Sequence, residues 1–189
     1  MTARDVLEFQ LNGSFNLLAE RLEKTTDEEW TRRAIPGTSL VGFIIWHGVR
    51  TIDWAVHTAV RGVPEVAAAA RWAGRLQQQH AYGSGITLEE ADSTARAVGR
   101  EVVREYLSDV RGSVMGWLRG VDEAELDRVP AMKEQQRVDP HYLQPEVWAE
   151  VSSMEGVPAW QILSRPSMSH IRVHSGEIDA LLQALRAAG

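Results

Sequence analysis

The sequence contains no cysteine at all. This absence excludes disulfide bonds, a cysteine nucleophile and any metal site that uses thiolate ligands. A metal ion in this protein must therefore be held by histidine, aspartate or glutamate. Any reaction that needs a thiol must use one that arrives with a ligand.

Long apolar runs and an excess of positive charge are also missing. The longest apolar run, Val41 to Trp46, is far too short to span a bilayer, and the residues after Met1 do not resemble a secretion signal. The net charge is −6, from 20 basic and 26 acidic residues, so a surface for phosphate backbones is not expected. We therefore expect a cytoplasmic protein that binds neither a membrane nor nucleic acid.

No segment alternates apolar and polar residues as a half-buried strand does, so strands are not expected. Instead, four long segments show helical periodicity, at about 7–24, 40–60, 88–120 and 158–186. We predict a single all-α domain over residues 1–189, a four-helix bundle with long connectors after helices two and three. The first connector is 62–86. The second connector, 129–156, should be irregular apart from a turn of helix near 146–151.

The fourth predicted helix carries two histidines on the face that should be apolar. That inner face follows alternating steps of three and four residues, through Trp160, Leu163, Ser167, His170, His174, Glu177, Leu181 and Leu185. His170 and His174 are one turn apart on this face, about 6 Å from each other. Buried imidazoles need partners. Either a shared divalent metal ion or hydrogen bonds to neighbouring polar groups would give these two imidazoles the partners that they need.

A third histidine lies in the middle of the second predicted helix. It shares a face with three residues that should point inward, namely Phe43, Thr51 and Trp54. We therefore expect His47 to point into the bundle. His57 is about 80° off that face at about 100° per residue, which predicts a surface or rim position. His80 and His141 fall in the connectors and should be solvated.

Three other kinds of histidine chemistry do not fit the sequence. The zincin motif needs glutamate directly after its first histidine, where this chain has Ile171. A di-iron bundle needs Glu-x-x-His on two helices, and this sequence has none. The segment Gly83-Ser84-Gly85 lacks the strand and flanking pattern of a nucleophile elbow, so we interpret it as a loop.

Two segments resemble the DinB/YfiT-like superfamily. Residues 170–178 read HIRVHSGEI, which is similar to the H-x-x-x-H-R-G-Q-I signature near the end of those proteins. Residues 39–47, SLVGFIIWH, followed by Arg50 and Asp53, resemble the second helix of that superfamily. Ser175 and Glu177 depart from the usual Arg and Gln, and Pro166 should kink the last helix or delay its start.

The resemblance implies both a ligand set and a reaction. Members of the superfamily bind a divalent metal with one histidine from helix two and two from helix four, which correspond here to His47, His170 and His174. Several members transfer a low-molecular-weight thiol to electrophiles. The resemblance therefore implies metal-dependent thiol transfer to a small-molecule substrate, with a low-molecular-weight thiol as second cofactor and a homodimeric assembly. Three imidazoles suit Zn, Ni, Cu and Fe alike, and we expect Zn or Ni as the ion.

Two other functions stay open from the sequence. Metal-assisted hydrolysis would need a carboxylate base, for which the candidates are Asp53, Glu105 and Asp109, although each is also expected at the surface or in a salt bridge. A non-catalytic metal- or ligand-binding protein of a stress response is the third hypothesis. The walls of a pocket would come from tryptophans that are otherwise ordinary core residues, namely Trp46, Trp54 and Trp160.

Overall fold

The computed structural model describes residues 2–187, except for the side chains of Gln78 and Ser167, so the predicted inward position of Ser167 lies outside the described part. Helices account for all the regular structure of these residues, and no β-strand occurs among them. The helices are α1 (Ala3–Lys24), α2 (Asp27–Thr31), α3 (Val41–Asp53), α4 (Leu88–Ala97), α5 (Arg100–Gly120), α6 (Glu123–Asp127), α7 (Met132–Gln135), α8 (Pro145–Val151), α9 (Ala159–Ser164) and α10 (Ile171–Ala187). The predicted all-α fold is confirmed.

The long helices pack around one apolar core. α1 contacts α5 on one side and α10 on the other, and α3 also contacts both α5 and α10. Core side chains come from all of these helices, for example Phe15, Val49, Val110 and Ile178, which are fully buried. One of the four predicted helices is broken, however, and two others contain a π-helical segment, so the bundle is not built from four single α-helices.

The third predicted helix is two helices that meet at a break. α4 ends at Ala97, Val98 is extended, and Gly99 begins α5 with an extended backbone. This break resets the phase of the buried stripe. Ser113 and Trp117, which an unbroken helix over 88–120 would turn inward together with Ala91 and Ala95, are only partly buried. The buried side chains of α5 are Val103, Tyr106, Leu107, Val110, Val114 and Leu118.

α3 continues beyond Asp53 as a π-helix over Trp54–Arg61, which Gly62 ends in the left-handed conformation. A π-helix turns less per residue than the α-helix on which the prediction for His57 was based. The prediction was wrong as a result: His57 is 3% exposed and faces the core. Every residue of α3 is buried, so this helix is the centre of the molecule.

The last helix begins at Ala159 and passes through Pro166 without stopping. A π-helix over Arg165–His170 joins α9 to α10. Pro166 has no N–H to donate to a carbonyl of the preceding turn. Two hydroxyl groups donate to carbonyls of this segment: Ser164 Oγ to that of Gln161 (2.6 Å) and Ser14 Oγ to that of Pro166 (3.2 Å). The π-helix also rotates the face of α10. Trp160 is consequently 41% exposed, contrary to its predicted inward position.

The connectors are ordered by short helices. The first connector holds 3₁₀ turns at Val66–Ala68, Ala70–Trp72 and Gln78–His80. The second connector holds α7, α8 and three further 3₁₀ turns, at Gln136–Val138, Pro140–Leu143 and Ser152–Met154, and α8 confirms the helical turn expected near 146–151. None of the helices within residues 2–187 has both the length and the apolar character needed to cross a membrane.

Candidate metal centre

The structure brings His47, His170 and His174 together. Their ring centroids are 5.1 Å apart for His47–His170, 5.1 Å for His47–His174 and 4.5 Å for His170–His174. Each histidine offers one ring nitrogen to a common point, and these nitrogens all lie within 4.8 Å of one another. α3 supplies His47, and His170 and His174 come from the junction of the π-helix with α10. The contact between α3 and α10 therefore closes the cluster.

The orientation of His47 is set by the first connector. Its Nδ1 hydrogen-bonds to the Tyr82 carbonyl, and its ring stacks on Phe43 with centroids 6.0 Å apart. A carbonyl only accepts, so the proton lies on Nδ1 and the lone pair of Nε2 faces the other histidines. This is the tautomer that a metal ligand needs.

Two neighbours of His47 hold the same stretch of chain. Trp46 Nε1 donates to the Leu76 carbonyl and Arg50 Nε donates to the Ala81 carbonyl, both at 3.0 Å. Three side chains of α3 thus bind backbone carbonyls of the first connector. Two of these carbonyls are consecutive: the Ala81 carbonyl accepts from Arg50, and the Tyr82 carbonyl accepts from His47.

Gly83 follows this stretch and has to be a glycine. Its φ is +94°, in the region that favours glycine, and an added Cβ would lie 2.8 Å from the Trp46 ring and 2.9 Å from the Phe43 ring. The predicted loop at Gly83-Ser84-Gly85 is confirmed. It forms a wall of the cavity beside the histidines rather than a nucleophile elbow.

His170 and His174 lie at the edge of the buried face of α10, which is centred on Ile171, Ser175 and Ile178. His170 Nε2 is 3.1 Å from His47 Nε2. His174 Nδ1 lies 2.8 Å from Glu177 Oε2, so its Nε2 is left for the cluster.

Burial keeps two of these imidazoles neutral. Burial lowers the pKa of His47 to about 4, helped by the nearby His174 and Arg165. Burial, together with His47, His174 and Arg165, lowers the pKa of His170 to about 2. Both rings are therefore uncharged at neutral pH. A neutral imidazole has the free lone pair that a metal ion requires.

A cavity of about 280 Å³ opens beside the three histidines. We call it the histidine cavity, and its other walls are Ser39, Phe43, Ile44, Gly83, Ser84, Gly85, Glu150 and Glu177. Glu150, on α8, is the carboxylate that sequence reasoning missed. Ser84 Oγ donates to its Oε2 at 2.7 Å. Nothing local marks Glu150 as a site residue, because only folding of the second connector brings it to the histidines.

Several predicted pocket and base residues lie elsewhere. Trp46 and Trp54 are buried core residues and do not line the histidine cavity. Glu105 pairs with Arg75 at 3.1 Å, and Asp109 pairs with Arg71. Asp53 is fully buried beside Arg50 and His57. None of these three carboxylates lines the histidine cavity, so none is a base for it.

A polar cluster around His57 has the connectivity of a Ser-His-Asp triad. Ser113 Oγ lies 2.8 Å from His57 Nε2, and His57 Nδ1 lies 2.7 Å from Asp53 Oδ1. Ser113 is inside α5, however, where the helix uses the backbone N–H groups that an oxyanion hole would need. It also does not line the histidine cavity. We therefore interpret this cluster as a polar link between α3 and α5.

Residues 10–149 match the sequence profile of the DinB superfamily, which is most of the chain. The chain belongs to the DinB superfamily. The matched part includes α3 with His47 and the second connector up to α8, and it stops before the two histidines of the last helix. The comparison of the sequence with curated proteins found no match.

Proposed function

We propose that His47, His170 and His174 bind one divalent metal ion, with Zn or Ni as the expected metals. Three arguments support this: the convergence of the three ring nitrogens, the neutral state of the buried imidazoles and the fixed tautomer of His47. Three imidazoles suit several transition metals, and three protein ligands leave a further position free in a tetrahedral site. Glu177 would orient His174 as an outer partner.

The reaction that we propose is transfer of a low-molecular-weight thiol to an electrophilic small molecule. The observation that carries it is the cavity of about 280 Å³ that opens onto the three histidines. A divalent ion held there would make a bound thiol easier to deprotonate. The chain has no cysteine, so the thiol must enter as a ligand. Glu150, which lines the same cavity and accepts from Ser84, is the carboxylate that we propose as acceptor of the thiol proton.

Protein stripped of metal and then reloaded with Zn tests this proposal. With a thiol such as cysteamine and a generic aryl halide electrophile, adduct formation should disappear in the stripped protein and return with Zn. Equal turnover in stripped and reloaded protein would contradict the mechanism. Retained metal binding without turnover on any thiol would favour a non-catalytic metal-binding protein.

Glu150 also supports a second candidate function, metal-assisted hydrolysis. A carboxylate that lines the same cavity as three histidines can take the proton of an attacking water. An ester and amide panel separates hydrolysis from thiol transfer. Under either reaction, Glu150→Gln should lower turnover while metal content stays unchanged. Glu146→Gln is the matched control, because Glu146 is on the same helix, is exposed and does not line the cavity.

A small-molecule substrate and a homodimeric, cytoplasmic protein stay part of the proposal. Sedimentation of the purified chain tests the dimer. The expected absence of nucleic-acid binding can be tested at low salt, where non-specific binding to phosphates is strongest.

A further inference from the structure

A second cavity lies on a different part of the molecule. It has a volume of about 340 Å³, within the range of small-molecule sites. Its walls come from the end of the π-helix, the start of the first connector and the turn at Pro140–Leu143, namely Arg50, Thr58, Gly62, Val63, Pro64, Glu65, Ala67, Ala68, Val138, Asp139 and Tyr142. None of these residues lines the histidine cavity. Most of the wall is apolar, and the polar groups are few.

A buried arginine, Arg50, forms part of the wall of this second cavity. The Arg50 side chain is 3% exposed. Its Nη1 is 2.7 Å from Glu65 Oε2 and donates to the Tyr106 hydroxyl at 3.0 Å. Among the described residues, the two N–H groups of Nη2 have one hydrogen bond between them, to the Tyr142 hydroxyl at 3.5 Å. That bond is at the distance limit, so a buried donor is left for a ligand.

The carboxylates of the wall restrict the charge of that ligand. Glu65 already accepts from Arg50, from Thr58 Oγ1 (2.8 Å) and from the Tyr142 hydroxyl. Asp139 at the mouth accepts from the backbone N–H of His141 at 3.0 Å and is 2.9 Å from its ring Nδ1. Arg50 Nη1 is also 3.5 Å from Asp53 Oδ2, so the one arginine is paired with two carboxylates, Glu65 and Asp53, and Asp139 adds a further carboxylate to the wall. An anionic ligand would therefore be repelled. The group left to bind is a donor, so a ligand needs an acceptor.

We propose that the second cavity is a binding site for a small, uncharged molecule with an apolar body and one hydrogen-bond acceptor, such as an amide or ketone carbonyl. The acceptor binds Arg50 Nη2, and the apolar body packs against Val63, Pro64 and Val138. This site does not depend on the metal centre or on the reaction proposed for it.

Three single-ring probes of similar shape test the proposal on the full chain. Benzamide is uncharged with a carbonyl acceptor, benzoate is anionic, and benzylamine is a cation without an acceptor. Ligand-detected NMR and calorimetry should show that benzamide binds at least tenfold more tightly than either. Tighter binding of benzoate or benzylamine would reject the chemistry. No detectable benzamide binding at about 10 mM, where even weak complexes are seen, would overturn the site.

Two exposed alanines of the first connector provide the variant and its control. Ala68 lines the second cavity and Ala70 does not, and both are exposed, so tryptophan at either position should leave the fold intact. Ala68→Trp should weaken benzamide binding at least tenfold, and Ala70→Trp should not change it. Equal binding to both variants would place the probe elsewhere and defeat the proposal. Circular dichroism of both variants checks that they remain folded.

Discussion

At the scale of single residues, the two nitrogens of His47 have separate tasks. Nδ1 is occupied by the Tyr82 carbonyl, so Nε2 alone is directed at His170 and His174. A histidine fixed in this way is prepared for metal binding before the ion arrives, and less ordering of the side chain is needed on binding.

Alanine substitution of the three histidines provides the most direct prediction. Loss of an outer partner already costs about 10–100-fold in metal affinity, so loss of His47, His170 or His174 should cost at least about 100-fold. Chelator competition measures this in protein purified without a nickel column. His57 is unsuitable as the control, because it is buried and bonded to Asp53. His141→Ala is the better control, since His141 is a partly exposed connector residue. Unchanged metal content in His170→Ala would exclude the proposed ligand set.

Gly83 gives a second prediction at this scale. Gly83→Ala combines a positive φ with contacts below 3.0 Å, whereas Gly74→Ala, in the same connector, has φ +71° and open space around it. We expect Gly74→Ala to destabilise the fold by about 1 kcal/mol and Gly83→Ala by clearly more. Urea unfolding measures both. Gly83→Ala should also weaken metal binding, because it displaces the Tyr82 carbonyl that holds His47. Equal effects of the two substitutions would contradict the contact argument.

Ser113 gives a third prediction, an absence of reaction. Its contact with His57 resembles that of a catalytic serine, but α5 leaves no backbone donors for an oxyanion. A fluorophosphonate probe should therefore not label the protein. Ser113→Ala should instead destabilise the fold by about 1 kcal/mol, the usual worth of one hydrogen bond. Covalent labelling at Ser113, seen by mass spectrometry, would show that the cluster is catalytic.

At the scale of helices, Glu29 joins the first short helix to the last long one. Its carboxylate bonds Arg186 Nε of α10 at 2.7 Å and the Thr26 backbone N–H at 2.8 Å. The Arg186 guanidinium and the Thr26 bonds lower the pKa of Glu29 from 4.5 to about 2.

This shift predicts how stability depends on pH. Between about pH 4.5 and 2 the unfolded chain binds the proton of Glu29 more readily than the folded chain does. The stabilisation from Glu29 is therefore present above that range and is lost as the pH falls through it. Urea midpoints across this range should fall less steeply for Glu29→Gln than for the unchanged protein. Glu28→Gln is the control, because Glu28 is exposed and pairs with Arg32, four residues further along the chain, rather than with a long helix. Identical slopes for the two variants would refute the role of Glu29.

Helix periodicity predicts most of these elements and fails where the helical repeat changes. Helix starts are also visible in the sequence, because Thr26 with Glu29 and Thr87 with Glu90 have the spacing of capping boxes, and both pairs form them at the starts of α2 and α4. The predicted positions of His57 and Trp160 were wrong because both predictions assume a constant rotation of about 100° per residue. π-helices, which turn less per residue, occupy Trp54–Arg61 and Arg165–His170. Sequence alone does not show a π-helix, because its extra residue is stabilised by tertiary packing.

The candidate site was predictable to a similar degree. His47 and His174 lie on regular α-helices, and His170 is the last residue of a π-helix one turn before His174, so spacing and family resemblance were enough to group them. Glu150 was not predictable, because it depends on the path of an irregular connector with no period of its own. The cavity walls were missed for the same reason: they are Gly83, Ser84 and Gly85 rather than tryptophans.

At the scale of the whole molecule, the metal should stabilise a protein that is already folded. The apolar core extends through all the long helices, and His47 and His174 have protein partners without an ion. Zn should raise the melting temperature by mass action while the far-UV spectrum of stripped protein stays helical. At a hundredfold excess over Kd the gain is about 2.7 kcal/mol. Stripped protein that loses its helical spectrum would contradict this, and His47→Ala should abolish the gain.

The two connectors supply walls to both cavities. Residues 83–85 and Glu150 border the histidines, and residues 62–68 and 138–142 border the buried arginine. The central side chains of the two proposed sites, His47 and Arg50, belong instead to a helix buried on all sides. In the proposed sites, reactivity and ligand choice are thus encoded in different stretches of the chain. Connector substitutions can alter which molecule is accepted while the imidazoles keep their positions, so new specificities can arise here without rebuilding the bundle.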